Sequence, residues 1–295
     1  MTWLKQCLDS CEGQQIIVVD NASSDGTLQF ISENYPEIIV LPQKKNLGFG
    51  VANNIGISHA LKNYSADYVY LLNQDAYLVG NVIQNLINIH TQNTEYGILS
   101  PIHLSGNKNE LDLKFKEYVF QHNDTLTEEQ LLADGINEIY DVPFINAAGW
   151  LMTKECLLDV GGFDPMFFLY GEDDNLCQRV LYHGYNIGVV SGCYMIHDRA
   201  LRKHEKLNIN SDKFKEVQAN IYKVKYANIN DDNAEYKLYD TLSYLKRQSF
   251  KNTLLIRFSA LRESSLKYRL LKNNVEKIKS SYQLNKTKAA HYLYL

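Results

Sequence analysis

Short continuous apolar runs alternate with polar stretches of helical length from residue 15 to residue 100, and this order constrains the fold more than any other feature. The run QIIVV (15–19) reads as a buried parallel strand, apolar on both faces. It stops at Asp20-Asn21-Ala22-Ser23-Ser24-Asp25-Gly26, a cluster of turn and cap residues. A helix is predicted over 27–34, ending ahead of Pro36, then a strand over 38–41 and a helix over about 48–63. Strands over 67–73 and 97–100 flank a further helix over 80–93. Such βαβα order implies an α/β fold with a mostly parallel sheet and helices on both faces, because crossovers between parallel strands are right-handed. Ligands of open sheets bind at the carboxyl ends of strands, and both Asp20 and Asn73-Gln74-Asp75 fall there.

Residues 104–141 are polar and irregular, as expected of an excursion or an edge hairpin. A second ordered block follows, with a strand over 142–152, helices over 154–159 and 174–183, a loop over 161–173 and a strand near 186–195. From about residue 211 the chain turns rich in Lys, Asn and Tyr, with leucines at helical intervals. We therefore expect two units, a domain over 1–205 and a basic helical extension over 206–295.

The net charge of -4 conceals an asymmetry: 20 of the 30 Lys and Arg lie beyond residue 200, against 9 of the 34 Asp and Glu. A basic tail on an acidic body points to a phosphate-rich partner, membrane or nucleic acid. No nucleic-acid recognition module is present in that tail, which argues against nucleic acid. No apolar run approaches the roughly 20 residues of a membrane span, and the first residues do not read as a signal peptide. Five cysteines, odd in number and without a CxxC pair, speak against a disulfide framework or a cysteine-held metal and for a reducing cytosol.

Five segments can carry chemistry. Asp20 at a strand end could accept hydrogen bonds from a base or a ribose, or simply cap the next helix. Asn46-Leu47-Gly48-Phe49-Gly50 would let backbone approach a diphosphate at a helix N-terminus, or form an ordinary loop; it lacks the residues of a P-loop. Asn73-Gln74-Asp75 offers one carboxylate and an amide, a set that suits a hard divalent cation also bound by phosphate, although an Asp after a strand is usually a turn residue. Glu172-Asp173-Asp174 follows an aromatic, glycine-bearing loop; three successive acids repel one another unless a cation, ligand or helix N-terminus offsets them. A carboxylate so placed can be a general base or merely a cap. His197, just past an apolar segment, is either a metal ligand or structural.

In this order the segments resemble the family-2 glycosyltransferases, inverting enzymes of the GT-A fold. The likeness spans roughly residues 2 to 200 and rests on IIVVDNASSDGT, NLGFGVANNIG, YLLNQD and GGFD…FFLYGEDDNLCQRV. The EDDNLC block followed by GCYMIHDRA is similar to the acceptor side of the β-galactosyltransferase group. The resemblance implies that Asp20, Asn46 and Gly48 line the nucleotide pocket, and that Asp75, helped by Asn73, binds Mn2+ or Mg2+ and the diphosphate. His197 would complete the metal shell. Asp173 would deprotonate the acceptor hydroxyl, with Glu172 its competitor, and Trp150 would stack on the acceptor sugar. Asn175 stands where many relatives carry a second acid, so it is not expected to take part.

The implied activity is transfer from a UDP- or dTDP-sugar to a hydroxyl of a glycan or lipid-linked saccharide with inversion, in surface polysaccharide or glycolipid synthesis. It would take place in the cytoplasm, with the basic helices resting on the inner face of the membrane. The family's usual opening strand has no counterpart here, since the chain begins within what would be the first helix. The alternative is thus a truncated or non-catalytic binding protein on a glycosyltransferase scaffold. A sugar-nucleotide-forming nucleotidyltransferase is disfavoured, because no early Gly-rich loop with a basic residue occurs.

Overall fold

The computed structural model describes residues 3–121, 126–132, 138–198 and 208–295. The expected boundary at 205/206 and residues 199–200 of the GCYMIHDRA segment lie outside the described residues. A short helix α1 (Leu4–Asp9) leads to strand β1 (Ile17–Asp20), helix α2 (Thr27–Asn34), strand β2 (Ile39–Pro42) and helix α3 (Phe49–Asn63). Strands β3 (Tyr68–Leu72) and β4 (Ala76–Val79) follow, then helix α4 (Val82–His90) and strand β5 (Tyr96–Leu104). Next come helices α5 (Leu113–Phe120) and α6 (Glu128–Leu131), strands β6 (Ile139–Asp141) and β7 (Gly149–Thr153), and helices α7 (Lys154–Val160) and α8 (Glu172–Tyr182). Strand β8 (Asn186–His197) precedes three helices, α9 (Asp212–Tyr226), α10 (Ala234–Leu254) and α11 (Phe258–Leu284).

The α/β class holds, but parallel pairing is less extensive than the alternation implied. Six strands form one sheet in the order β3-β7-β5-β8-β4, with β6 also on β8. Among the described residues only β1–β2 and β5–β8 pair in parallel; β3–β7, β4–β8, β5–β7 and β6–β8 are antiparallel. Strands β1 and β2 form a separate two-stranded sheet, and α3 packs against both β1 and β3 across the break. Two expectations shift further. The stretch 104–141 contains helices α5 and α6, and the strand expected over 142–152 is a bend followed by β7, because the chain turns at Asn146–Ala148.

All nine residues of β5 are buried, as befits a strand covered on both faces. Side chains alternate across such a strand. Ile98, Met152 and Val189 accordingly enter one apolar cluster, and their neighbours Leu99, Leu151 and Val190 enter the other. The β5–β8 register slips after Pro101, which has no N–H to give the ladder.

The last three helices share an apolar seam of Tyr226, Leu238, Leu245, Leu271, Val275 and Ile278. The chain then returns to the body as a strap. Ala289 N–H donates to the Asp159 carbonyl at 2.9 Å, Gly162 N–H to that of His291 at 2.8 Å, and Tyr294 N–H to Ser58 Oγ at 3.0 Å.

Candidate active site

At the end of β1, two loops hold each other. Asp20 ends β1, is buried, and accepts from Ser23 N–H through Oδ2 at 3.1 Å. Next to it, Asn21 donates to Asn46 Oδ1 at 3.0 Å and to the Gly48 carbonyl at 3.2 Å, while accepting from Leu47 N–H at 2.7 Å. Asn46 Oδ1 also accepts from Gly48 N–H at 2.9 Å. Asn21 is a positioning residue that the sequence pattern left unassigned; its signal was an Asn directly after a strand-end Asp.

Gly48 caps α3 at φ 84°, a region that disfavours side chains, and a Cβ there would sit 2.2 Å from the Phe168 carbonyl oxygen. The same oxygen accepts from Phe49 N–H at 3.1 Å, so the α3 N-terminus abuts the loop ahead of α8. Asn54 secures this contact from within the helix. It is fully buried, donating to the Phe163 carbonyl and accepting from Phe163 N–H, each at 2.7 Å.

At the turn between β3 and β4, Asp75 comes against His197. The imidazole Nε2 lies 3.4 Å from Asp75 Oδ1, and the His197 side chain is only 1% exposed. Antiparallel pairing sets this approach, since Ala76 stands opposite His197 in the β4–β8 register. A carboxylate oxygen and an imidazole nitrogen at this spacing form two neighbouring donors of a kind that first-row divalent cations accept. Among the described residues no group of three or more His, Cys, Asp or Glu gathers as a complete metal cage. Any cation here would draw its remaining ligands from elsewhere, as phosphate-bound cations do. Cys7 of α1 supports the turn, donating to the Asn73 carbonyl at 3.6 Å; burial first, then Cys11 and Asp75, pushes its thiol up to about 12, so it stays protonated.

The acidic triplet forms the first turn of α8, behind Gly171. Burial, then Asp173, pushes Glu172 up to about 7, and Glu172 Oε2 is buried without a hydrogen-bond partner. Asp174 is likewise pushed up to about 7 by burial and then by Asp173. Asp173 is raised by burial, while backbone hydrogen bonds from Asp174, Ala147 and Gly171 pull the other way. As whole residues Asp173 and Asp174 are half-buried, whereas Glu172 is buried.

Segment 146–148 ties the two halves together. Ala147 faces Asp173, and the next residue, Ala148, accepts Asn73 N–H at 2.9 Å. Helix α8 and the Asp75 turn therefore share one short piece of backbone.

Trp150, expected at the acceptor, is instead fully buried on β7, stacked on Phe163 with ring centroids 6.1 Å apart. Its neighbours on the sheet leave no ring face for a sugar. Asn175 is also fully buried, its Oδ1 accepting from Arg179 Nε at 3.1 Å.

A mixed sheet flanked by helices, with carboxylates and amides at its strand ends, is the architecture of the GT-A glycosyltransferase fold. Residues 2–148 match the model of Glycosyl transferase family 2, a match that supports a family-2 glycosyltransferase. That span holds Asp20, Asn46, Gly48, Asn73 and Asp75, while Glu172, Asp173 and His197 lie beyond it.

Among curated proteins, the low-salt glycan biosynthesis hexosyltransferase Agl10 of Haloferax volcanii is 26% identical over 195 residues, covering 63% of this chain and 59% of its own. The N-acetylglucosaminyl-diphospho-decaprenol L-rhamnosyltransferase of Mycobacterium tuberculosis is 24% identical over 205 residues, covering 63% of this chain and 66% of its own. The chain thus spans less than two thirds of these relatives. Among solved structures, GalNAc-T7 with UDP, GalNAc and Mn2+ superposes with a TM-score of 0.58 at 14% identity, over 96% of this chain and 52% of that one. The S. aureus TarS fragment with UDP gives 0.51 at 14% identity, over 94% and 88%.

Proposed function

We propose that this chain transfers a sugar from a nucleotide-diphospho-sugar, UDP- or dTDP-linked, to a hydroxyl of a glycan or lipid-linked saccharide with inversion. The observation that carries the reading is segment 146–148, whose backbone meets Asp173 at Ala147 and the turn that bears Asp75 at Ala148. Asp20 contacts the base or ribose, and Asn46 with Gly48 shapes the pocket wall. Asp75 and His197, with Asn73 beside them, would hold Mn2+ or Mg2+, which when bound would supply positive charge to the departing diphosphate. Agreement with this donor class comes from the ligands named for the two structural neighbours.

On the acceptor side, Asp173 takes the proton of the attacking hydroxyl. As that oxygen bonds to the anomeric carbon, the bond from that carbon to the phosphate oxygen breaks on the opposite face, so the centre inverts. Glu172, closed off and elevated, is a weaker candidate for the same proton. The likeness of the α8 block to the acceptor side of the β-galactosyltransferase group belongs to this reading. A cytoplasmic setting also belongs to it; among the described residues no helix is long and apolar enough to cross a membrane.

The break between β1 and β3 favours one second reading, a binding protein that holds nucleotide without transfer. Calorimetry with UDP and dTDP, with and without Mn2+, on the chain and on Asp75→Ala tests the donor site. Metal-dependent binding lost in the variant supports it, and absence of any nucleotide binding sinks it. Product analysis with the nucleotide-sugar that binds separates transfer from binding alone.

A further inference from the structure

The hairpin of α10 and α11 carries a surface that sugar transfer leaves unexplained. Between Asp240 and Glu263 the sequence contains no acid, yet it holds Lys246, Arg247, Lys251, Arg257 and Arg262. At the apex, Phe250, Leu254, Leu255, Ile256 and Phe258 are all exposed, Phe258 by 76% and Ile256 by 70%. Large apolar side chains scattered singly on a surface are ordinary; five grouped at one turn are not.

The packing explains why they point outward. Toward the apex the two helices meet through polar groups: Ser264 Oγ accepts from Ser249 Oγ at 3.2 Å and from Asn252 Nδ2 at 3.3 Å. The apolar seam lies further down, at Leu245 and Leu271. Ile256 sits at φ 56°, a conformation costly for a β-branched residue, and there its side chain is presented to solvent. Asn230, just ahead of α10, donates to the Gln178 carbonyl of α8 at 2.8 Å, so the 21-residue α10 carries the apex about 30 Å away from that anchor. Near the apex, Arg262 hydrogen-bonds Asn210, just before α9, whose Asn220 in turn donates to the carbonyls of Leu169 and Tyr170. The apex is therefore tied mechanically to the loop that precedes the acidic triplet.

An apolar tip flanked by five cations, with no acid between Asp240 and Glu263, complements one kind of surface, an apolar layer under a negatively charged skin. We propose that the α10–α11 apex docks on the surface of an anionic bilayer, with the five apolar side chains in the acyl boundary and the cations at the lipid phosphates. This does not depend on the assignment of the transfer reaction.

The test is vesicle flotation of the full chain with phosphatidylglycerol–phosphatidylcholine vesicles and with pure phosphatidylcholine vesicles. Two variants accompany it, Leu254→Ser/Ile256→Ser/Phe258→Ser and Lys251→Glu/Arg257→Glu, all at exposed positions and checked by circular dichroism. The expected result is binding to the anionic vesicles at least about 10-fold stronger than to the neutral ones, weakened by salt, with each variant losing about 10-fold or more. UDP binding by both variants should match the parent chain. The proposal is overturned if the parent chain does not float, if it binds both vesicle types equally, or if the variants float as the parent does. It is also overturned if sedimentation shows a dimer that the apolar variant dissociates while vesicle binding stays unchanged, because the apex would then cover a second copy.

Discussion

Asp75 Oδ1 and His197 Nε2 lie 3.4 Å apart at facing ends of two strands, although 121 residues separate them in sequence. The β4–β8 ladder fixes that approach, so the pair is preformed before any ligand arrives. Replacing either donor removes half of what the protein offers a cation. Asp75→Asn and His197→Ala should each weaken Mn2+-dependent UDP binding by roughly 10- to 100-fold and leave metal-free binding nearly unchanged. Calorimetry with and without Mn2+ reads this directly; equal affinities for parent and variants would remove the pair from the donor site.

The acidic triplet makes a prediction about turnover. Asp173→Asn keeps the shape of the α8 first turn but cannot take a proton. It should lower kcat by roughly 10²- to 10⁴-fold with little change in the donor KM, whereas Glu172→Gln should cost far less. Because the Asp173 carboxyl is raised by burial, it must lose its proton before it can act, so the parent's kcat/KM should climb with pH and then level. A pH–rate profile measured on both variants checks the assignment. A larger loss at Glu172 would exchange the two roles.

Glu172 also links pH to stability. Its folded-state pKa is raised from 4.5 to about 7, so the folded chain binds this proton more tightly than the unfolded chain does. Its contribution is therefore greatest below about 4.5 and is lost as pH rises through about 7. Glu172→Gln should raise Tm at pH 8 relative to the parent, by a few degrees, and change it little or lower it at pH 5. Thermal melts at the two pH values decide this; a shift of the same sign and size at both would show that burial of Glu172 is not what raises its pKa.

Much of the donor half was legible because strand ends announce themselves. A continuous apolar run closed by Asp20 or by Asn73-Gln74-Asp75 shows where a sheet presents its carboxyl edge. What stayed hidden depends on partners far away in sequence. Trp150 has the composition of a sugar platform, and only the stacking with Phe163 shows it to be core. Asn21 and Asn54 look like ordinary loop and helix residues until their bonds to Gly48 and Phe163 are seen. The antiparallel share of the sheet was invisible for a similar reason. Apolar runs reveal that a strand is buried, but not the direction of its neighbour.

Gly48 tests the closeness of the two halves. Its φ of 84° and the 2.2 Å approach of a Cβ to Phe168 O leave no room for a side chain. Gly48→Ala should destabilise the fold by about 1–3 kcal/mol from the backbone term alone. It should also weaken UDP binding, because relief of the clash moves the α3 N-terminus away from the loop ahead of α8. Urea unfolding and nucleotide calorimetry on one preparation measure both; unchanged values would mean that the loop yields freely.

Arg179 shows how the C-terminal strap and the acid-bearing loop depend on each other. Its guanidinium is fully buried and donates to the carbonyls of Val160 at 2.8 Å and Gly162 at 2.5 Å and to Asn175 Oδ1, with the Tyr292 ring 5.4 Å away. Tyr292 in turn donates to Asp164 Oδ2 at 3.0 Å, and Ser281 donates to the same oxygen at 2.6 Å. Burial lowers the Arg179 pKa, so the cation is held by this planar set of acceptors and the nearby Asp164. Arg179→Met would leave two carbonyls and an amide oxygen buried without donors, and should cost about 3–5 kcal/mol. Arg179→Lys should recover little, because an ammonium cannot span the same fork. Tyr292→Phe removes one bond from the edge of the network and should cost about 1 kcal/mol. Urea unfolding of the three variants should therefore rank Met and Lys together, well below Phe. A lysine variant as stable as the parent would show that charge alone, not the guanidinium geometry, joins strap and loop.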